Sequence, residues 1–334
     1  MIDHKKYPIS YTEILKSRKV VYEYLSPTSL NQYKNLSSLI GAEIFVKHEN
    51  HNPTGSFKIR GGINLMHHLK KSGIKGVITF STGNHGLSIA QSAAWLGMHA
   101  TIVVPKDNNP VKNRNIKLTG ATLLEAGKTF EEASTVVAEL SEKQDFYYAH
   151  PANEPNLING VGTEFIEIIE TIPDLDAVIL PIGAGSEVAA AVTVLKTINP
   201  DIQIFAVQAK SSNAAFTSWK SGKIQSSENN TFAGGLATGI AYEIPFKIYK
   251  NNLSDFVLLS EEEIYQSIDL AGYYTHNYLE GAGASTIMAA IKLRKQLKGK
   301  KVVLQFSGGN ASPDEIIKAY NLESFITGWK TNKI

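Results

Sequence analysis

From residue 77 onward the chain alternates short apolar runs with helix-length segments, and this alternation limits the fold more than any other feature. Residues 77–80 (V-I-T-F), 100–104 and 121–124 read as strands, and residues 87–96, 113–118 and 130–143 as helices. Strands resume at 146–148, 177–180, 203–208 and 301–306, and helices at 163–171, 186–198, from 260 onward and at 285–297. Strands separated by helices form parallel sheets with covered faces and right-handed crossovers. The expectation is an α/β protein built on open, twisted, mostly parallel sheets. A chain of 334 residues is long enough for two domains of ordinary size. The Pro/Asn-rich stretch 151–160 suits a crossing between them. Before residue 77, a helix is expected over 12–24 with Ile14, Leu15, Val20 and Val21 as its buried positions, then a loop at 24–30 and a strand at 42–47.

Apolar residues make up 43% of the chain, enough for real cores, while the net charge is only +2 with both signs interspersed. That balance gives no basic stripe for nucleic acid and no membrane-binding face. Cysteine is absent, which excludes disulfides, a thiol nucleophile and thiolate metal sites. The start, M-I-D-H-K-K-Y, lacks the apolar run of a secretory signal, so a soluble cytoplasmic protein is the expectation.

One stretch carries distinctive chemistry: residues 51–62, H-N-P-T-G-S-F-K-I-R-G-G. Asn52-Pro53-Thr54-Gly55 reads as a turn, and Ser56 is placed to cap a helix running through Ile59, Ile63, Met66 and Leu69. Lys58 then falls in the first helical turn, where the helix dipole disfavours a cation. A neutral amine there can attack an aldehyde and form a Schiff base. Most lysines are merely solvated, and local sequence alone does not separate the two readings.

Lys47-x-Glu49 followed by Ser56-Phe57-Lys58-x-Arg60-Gly61 resembles the cofactor-lysine motif of fold type II pyridoxal-phosphate enzymes. More closely, it is similar to the serine/threonine dehydratase (ammonia-lyase) and serine racemase group. The resemblance implies a tryptophan synthase beta-like architecture of two α/β domains with the cofactor in a cleft. It places a small domain near 52–155 and a large one in 1–51 with 156–334. Matched by position, Lys58 holds pyridoxal phosphate covalently, with Phe57 beside the cofactor. Further loops fit the same family, all expected to lie between a strand end and a helix start, the edge where ligands gather in open α/β sheets.

Ser81-Thr82-Gly83-Asn84-His85 resembles the dehydratases' asparagine loop. A Gly-rich turn at a helix start offers amides to a carboxylate. The resemblance gives Asn84 to the cofactor's 3'-oxygen and Ser81, Thr82, Gly83, Asn84 and His85 to substrate binding, with Thr82 also a catalytic candidate. On residue type alone, Asn84 also fits a turn and His85 a structural role. Gly183-Ala184-Gly185-Ser186 occupies the position of the family's tetraglycine phosphate loop with two glycines replaced. Its amides and the Ser186 hydroxyl suit a dianion, and it lacks both a dinucleotide fingerprint and a P-loop lysine. Glu280-Gly281-Ala282-Gly283-Ala284 resembles the family's E-x-x-G-A segment, which puts Glu280 near the ring for orientation or charge tuning. Ser307-Gly308-Gly309-Asn310 places a serine at the pyridine nitrogen of relatives.

The resemblance implies dehydration of L-threonine or L-serine to 2-oxobutanoate or pyruvate plus ammonia, by a homodimer or homotetramer. Three alternatives share the frame: amino-acid racemisation, dehydration of another 3-hydroxy amino acid such as 3-hydroxyaspartate or phenylserine, and an inactive cofactor-binding regulator. For an acidic substrate, Arg60, Lys112 and Arg114 are candidate partners by composition. The divalent-cation motif of serine racemase is altered, with Gln208 and Ala214 in place of two carboxylates and Lys210 nearby. No divalent metal site is expected, while backbone carbonyls near Gln208 and Ser212 leave room for a weak monovalent cation.

Overall fold

The structure, a computed structural model, describes residues 9–106, 108–127 and 130–322. The chain divides into two compact units, Met1–Ser26 with Phe57–Thr163, and Pro27–Ser56 with Glu164–Ile334. In chain order the elements begin with α1 (Tyr11–Val21), β1 (Leu30–Gln32), α2 (Lys34–Ile40), β2 (Glu43–Lys47), α3 (Lys58–Lys71), β3 (Gly76–Phe80) and α4 (Asn84–Leu96). Next come β4 (His99–Val104), α5 (Pro110–Leu118), β5 (Thr122–Glu125), α6 (Phe130–Gln144), β6 (Tyr147–Tyr148), α7 (Pro155–Val161) and α8 (Thr163–Thr171). The rest are β7 (Ala177–Pro181), α9 (Ser186–Ile198), β8 (Gln203–Ala209), α10 (Ala214–Ser221), α11 (Glu243–Tyr249), β9 (Asp255–Leu259), α12 (Glu261–Thr275), α13 (Gly281–Leu297), β10 (Lys301–Gln305) and α14 (Pro313–Asn321).

The first unit holds a four-stranded sheet in the order β5-β4-β3-β6, every pair parallel. Its third strand in chain order, β5, lies at one edge, and β6 then returns to the far side of β3. The strand order therefore reverses at β3 and β6, and the segments after both strands emerge at one switch point. Helix α1 belongs here rather than with the larger unit, where residues 1–51 were expected. The reason is packing: Ile14 sits so close to Gly162 that a Cβ on that glycine would lie 2.6 Å from its Cδ1. Buried Ile14, Ser17 and Val21 make the inner stripe of α1, whereas Leu15 is exposed and Val20 only half-buried.

The second unit holds a six-stranded sheet in the order β1-β2-β10-β7-β8-β9. Only β1 runs antiparallel, against β2. From β7 the chain steps outward through β8 and β9, then crosses back so that β10 flanks β7 on its other side. The switch point of this sheet thus lies at the carboxyl ends of β7 and β10. Strands β7 and β10 are nearly continuous apolar runs because both faces are covered. Helices α12 and α14 open with full capping boxes, Ser260 with Glu263 and Ser312 with Glu315.

A buried ion pair fixes the end of β2: Lys47 Nζ donates to Glu167 Oε2 on α8 at 2.5 Å and to the Thr28 carbonyl at 2.8 Å. Two residues on, Glu49 accepts from Thr28 Oγ1 at 2.6 Å and from Asn52 Nδ2 at 2.6 Å. These contacts tie the end of β2 to the 52–55 turn, closed by Gly55 N donating to the Asn52 carbonyl at 2.7 Å.

At the switch point of the first unit, Tyr147 donates its hydroxyl to Glu154 Oε1 at 2.8 Å, and the His150 amide reaches the same oxygen at 3.4 Å. Burial raises the Glu154 carboxyl to about 7, more than the two hydrogen bonds pull it down. The native state therefore holds this proton above the ordinary carboxylate range, and its stability contribution is lost as pH rises from about 4.5 through about 7. Glu154→Gln keeps an oxygen acceptor and removes the titration. Its melting temperature relative to the parent is expected to climb between pH 5 and pH 8; a difference independent of pH would contradict the buried-acid assignment.

Candidate active site

In the first unit, Lys58 is the first residue of α3, and Phe57 is the N-cap. The expected cap does not form: Ser56 is fully buried, its Oγ finds no partner among the described residues, and its backbone instead bridges Gly308. The start of α3 is fixed by packing. A Cβ on Gly61 would lie 2.7 Å from the Leu157 carbonyl, and one on Gly62 would lie 2.2 Å from Ser88 Oγ. These two glycines let α7 and α4 come against α3 at close range. Ser88 Oγ also donates to the Lys58 carbonyl at 2.6 Å. Arg60 is wholly buried and donates to Thr163 Oγ1 at 3.1 Å. The Lys58 side chain stays half-buried, with Nζ 4.5 Å from the centroid of the Phe57 ring.

The 81–85 loop leaves the carboxyl end of β3 at the switch point. Ser81 Oγ accepts from the Gly83 amide at 3.2 Å, and α4 begins at Asn84, three residues earlier than its periodicity suggested. Thr82 is exposed, Ser81, Gly83 and Asn84 are half-buried, and His85 is buried. The amides that open α4 have no acceptor within the helix, and the positive end of the helix faces this loop. His85 points inward, with Nε2 3.2 Å from the Ala149 carbonyl and 3.1 Å from Thr79 Oγ1. A carbonyl only accepts, so Nε2 carries the proton. Burial first, then the charge of Lys58, lowers the ring to about 3. His85 therefore links β3 to the segment after β6 as a neutral ring, and its Nδ1 is buried without a partner among the described residues.

In the second unit, the 182–186 loop leaves β7 and leads into α9. Its two glycines are the positions that require glycine. A Cβ on Gly183 would lie 2.3 Å from the Gly235 carbonyl, and Gly185 has a φ of +89°. Ala184 between them is half-buried and has room for its methyl group. Ser186 is 1% exposed at the head of a helix of 13 residues. Backbone amides, a helix start and a buried hydroxyl form a cradle with the donor chemistry of a phosphate site.

Ser307, buried at the end of β10, stands at the same switch point. Its loop clasps the 52–56 turn: Gly309 N donates to the Gly55 carbonyl at 2.9 Å, and Asn310 Nδ2 to the Thr54 carbonyl at 2.8 Å. Glu280 does not follow a strand, contrary to expectation. It is the N-cap of α13, reached from α12, because the helix starts at Gly281 rather than at 285. Gly283 allows this start to approach the loop after β10, since a Cβ there would lie 2.3 Å from the Gly308 carbonyl. Glu280 Oε1 reaches to within 3.8 Å of where a Cβ on Gly235, the packing partner of Gly183, would stand.

At the end of β8, Gln208 is buried and its Oε1 accepts from the Phe216 amide at 3.1 Å. Ala214 opens α10, and Lys210 is exposed. Glu261 links this region to the next loop, accepting from Ser211 Oγ, Thr231 Oγ1 and the Phe232 amide. Sequence reasoning missed that carboxylate, and also the 149–154 segment, whose place at the switch point follows only from the strand order.

Residues 21–308 match the family model described as pyridoxal-phosphate dependent enzyme. The L-threonine ammonia-lyase of Thermotoga maritima is 32% identical over 94% of this chain and 78% of its own length. The L-threo-3-hydroxyaspartate ammonia-lyase of Saccharomyces cerevisiae is 30% identical over 90% of this chain and 93% of its own. Among solved structures, maize serine racemase superposes with a TM-score of 0.89 at 26% identity, covering 94% of this chain and 97% of that one. The phosphate cradle after β7 and the lysine opening α3 have the chemistry that pyridoxal phosphate requires, and the chain belongs to the fold type II pyridoxal-phosphate enzymes, in the family of the threonine dehydratases and serine racemases.

Proposed function

We propose that this protein is a dehydratase of small 3-hydroxy amino acids, with L-threonine and L-serine as its reference substrates. The observation that carries the reading is the pair of loops at one switch point, Gly183–Ser186 after β7 and Ser307 after β10. The first is a cradle of amides for a phosphate, and the second offers a buried hydroxyl rather than a carboxylate to a ring nitrogen. A hydroxyl leaves that nitrogen neutral, which weakens carbanion delocalisation and favours prompt loss of a β-leaving group.

Pyridoxal phosphate supplies the electron sink that makes the substrate α-proton removable. Lys58 would hold the cofactor, and its amine, when free, would serve as the general base that takes the substrate α-proton. The 81–85 loop holds the substrate carboxylate on its amides, with Thr82 and Asn84 orienting it. Glu280 tunes charge between its neighbouring loops, and Phe57 packs beside the lysine. The β-hydroxyl would leave as water by accepting one proton, which balances the α-proton taken by Lys58, and hydrolysis of the released enamine gives ammonia and the 2-oxo acid.

Lys58→Ala is expected to reduce 2-oxo-acid release from L-threonine by at least ~10²-fold, the usual scale for a lost general base. Undiminished turnover by that variant would sink the assignment. Gln208 lacks the charge that a hard divalent cation favours, and Ala214 has no ligand atom. Threonine deamination is therefore expected to survive exhaustive chelation, and loss of activity that returns with Mg²⁺ would overturn this part of the reading.

A further inference from the structure

We propose that Lys112 is a specificity residue that selects hydroxy-amino acids bearing a second carboxylate on the β-carbon. This rests on the dehydratase reading above and extends it to a substrate class. Helix α5 begins at the carboxyl end of β4, the strand beside β3, so its first turn stands next to the 81–85 loop. That turn is well fixed: Pro110 opens it, and Asn109 Oδ1 accepts from the amides of Val111 at 2.9 Å and Lys112 at 3.3 Å. Lys112 is thereby aimed at the loop, and a Cβ placed on Gly83 would stand 3.8 Å from its Nζ. Glycine at 83 leaves the space between them open.

Electrostatics makes this placement informative. Lys112 Nζ forms no hydrogen bond or ion pair among the described residues. It lies in the first turn of α5 and beside the start of α4, two positive helix ends that disfavour a cation. Neither helix carries an acidic residue in its first turn. Two helix starts and a lysine therefore share one small region; among the described residues, the carboxylate beside α5 is Glu125 on the neighbouring strand, which takes a hydrogen bond from Asn113 at 3.4 Å. The α-carboxylate of threonine supplies one negative charge and its β-methyl none. A 3-hydroxydicarboxylic amino acid supplies the second charge on the adjacent carbon, within reach of a flexible lysine. The other two candidate cations are placed elsewhere. Arg60 is buried against Thr163. Arg114 lies about 200° further around α5 and lines a surface hollow with Asn113, Lys117 and Glu125.

The test compares the parent with Lys112→Gln and Lys112→Arg, all fully loaded with pyridoxal phosphate. With L-threo-3-hydroxyaspartate, Lys112→Gln is expected to raise KM roughly 10- to 100-fold, the range of a lost charge-assisted hydrogen bond, with much less change in kcat. The loss on L-threonine should be at least ~10-fold smaller, since that substrate places no charge at the amine. Lys112→Arg should recover much of the loss. Equal losses on both substrates, or none on the dicarboxylate, would overturn the proposal. Calorimetric binding of L-aspartate against L-alanine reads the same preference without turnover: the parent and Lys112→Arg should favour aspartate, and Lys112→Gln should not. A parent that favours aspartate yet releases no 2-oxo acid from any hydroxy-amino acid would leave Lys112 standing and sink the dehydratase reading instead; a parent indifferent to the second carboxylate would sink Lys112.

Discussion

Parallel strand pairing is the constraint on which the rest of the molecule depends. A parallel neighbour cannot be reached by a hairpin, so the chain returns through a helix and every strand ends at the same edge of its sheet. In each unit the strand order also reverses once, at β3 and β6 in the first and at β7 and β10 in the second. The loops after β3, β7 and β10 are drawn to those reversals, and they are the loops that carry Asn84, the 183–186 cradle and Ser307. Their chemistry needs little charge. In the proposed site, helix starts and backbone amides would supply the donors, and the buried hydroxyls of Ser186 and Ser307 would add direction.

Close backbone approach is the second device, and it explains where the glycines fall. Gly61 and Gly62 admit two helices against the first turn of α3, which sets the backbone of Lys58 without any side-chain cap. Gly183 admits the Gly235 carbonyl, and Gly283 admits that of Gly308. Each contact leaves less than a methyl group of room. Beyond them, the buried Lys47–Glu167 pair and the Glu49 contacts fix the turn that leads to Lys58. Breaking one member of such a pair would leave the other charge buried without compensation, which is why it is a structural commitment rather than a surface ornament.

Much of this was legible in the sequence. The strand–helix alternation gave the parallel sheets, and the Gly-rich loops marked strand ends. What escaped was set by tertiary context. Residues 255–259, D-F-V-L-L, form the edge strand β9, short enough to pass as a connection before the strong α12 signal. The Pro/Asn-rich stretch 151–160 looked like a crossing; the units divide just beyond it, after Thr163, but its second half is the buried helix α7, with Asn64 Nδ2 bonded to the Asn156 carbonyl at 2.7 Å. Ser56 had the chemistry of a cap, but pairing with Gly308 fixed its backbone first. Glu280 seemed to follow a strand because its loop resembles those that do. The position of Lys112 beside Gly83 depends on β4 lying next to β3, which spacing along the chain does not encode.

The central claim is that Lys58 is the residue that carries pyridoxal phosphate. Borohydride reduction of the purified protein, followed by digestion and peptide mass spectrometry, tests it most directly. The account requires a single pyridoxyl group on the peptide containing Lys58, at close to one per chain. A pyridoxyl group on Lys47, Lys112 or any other lysine, with the Lys58 peptide unmodified, would contradict it.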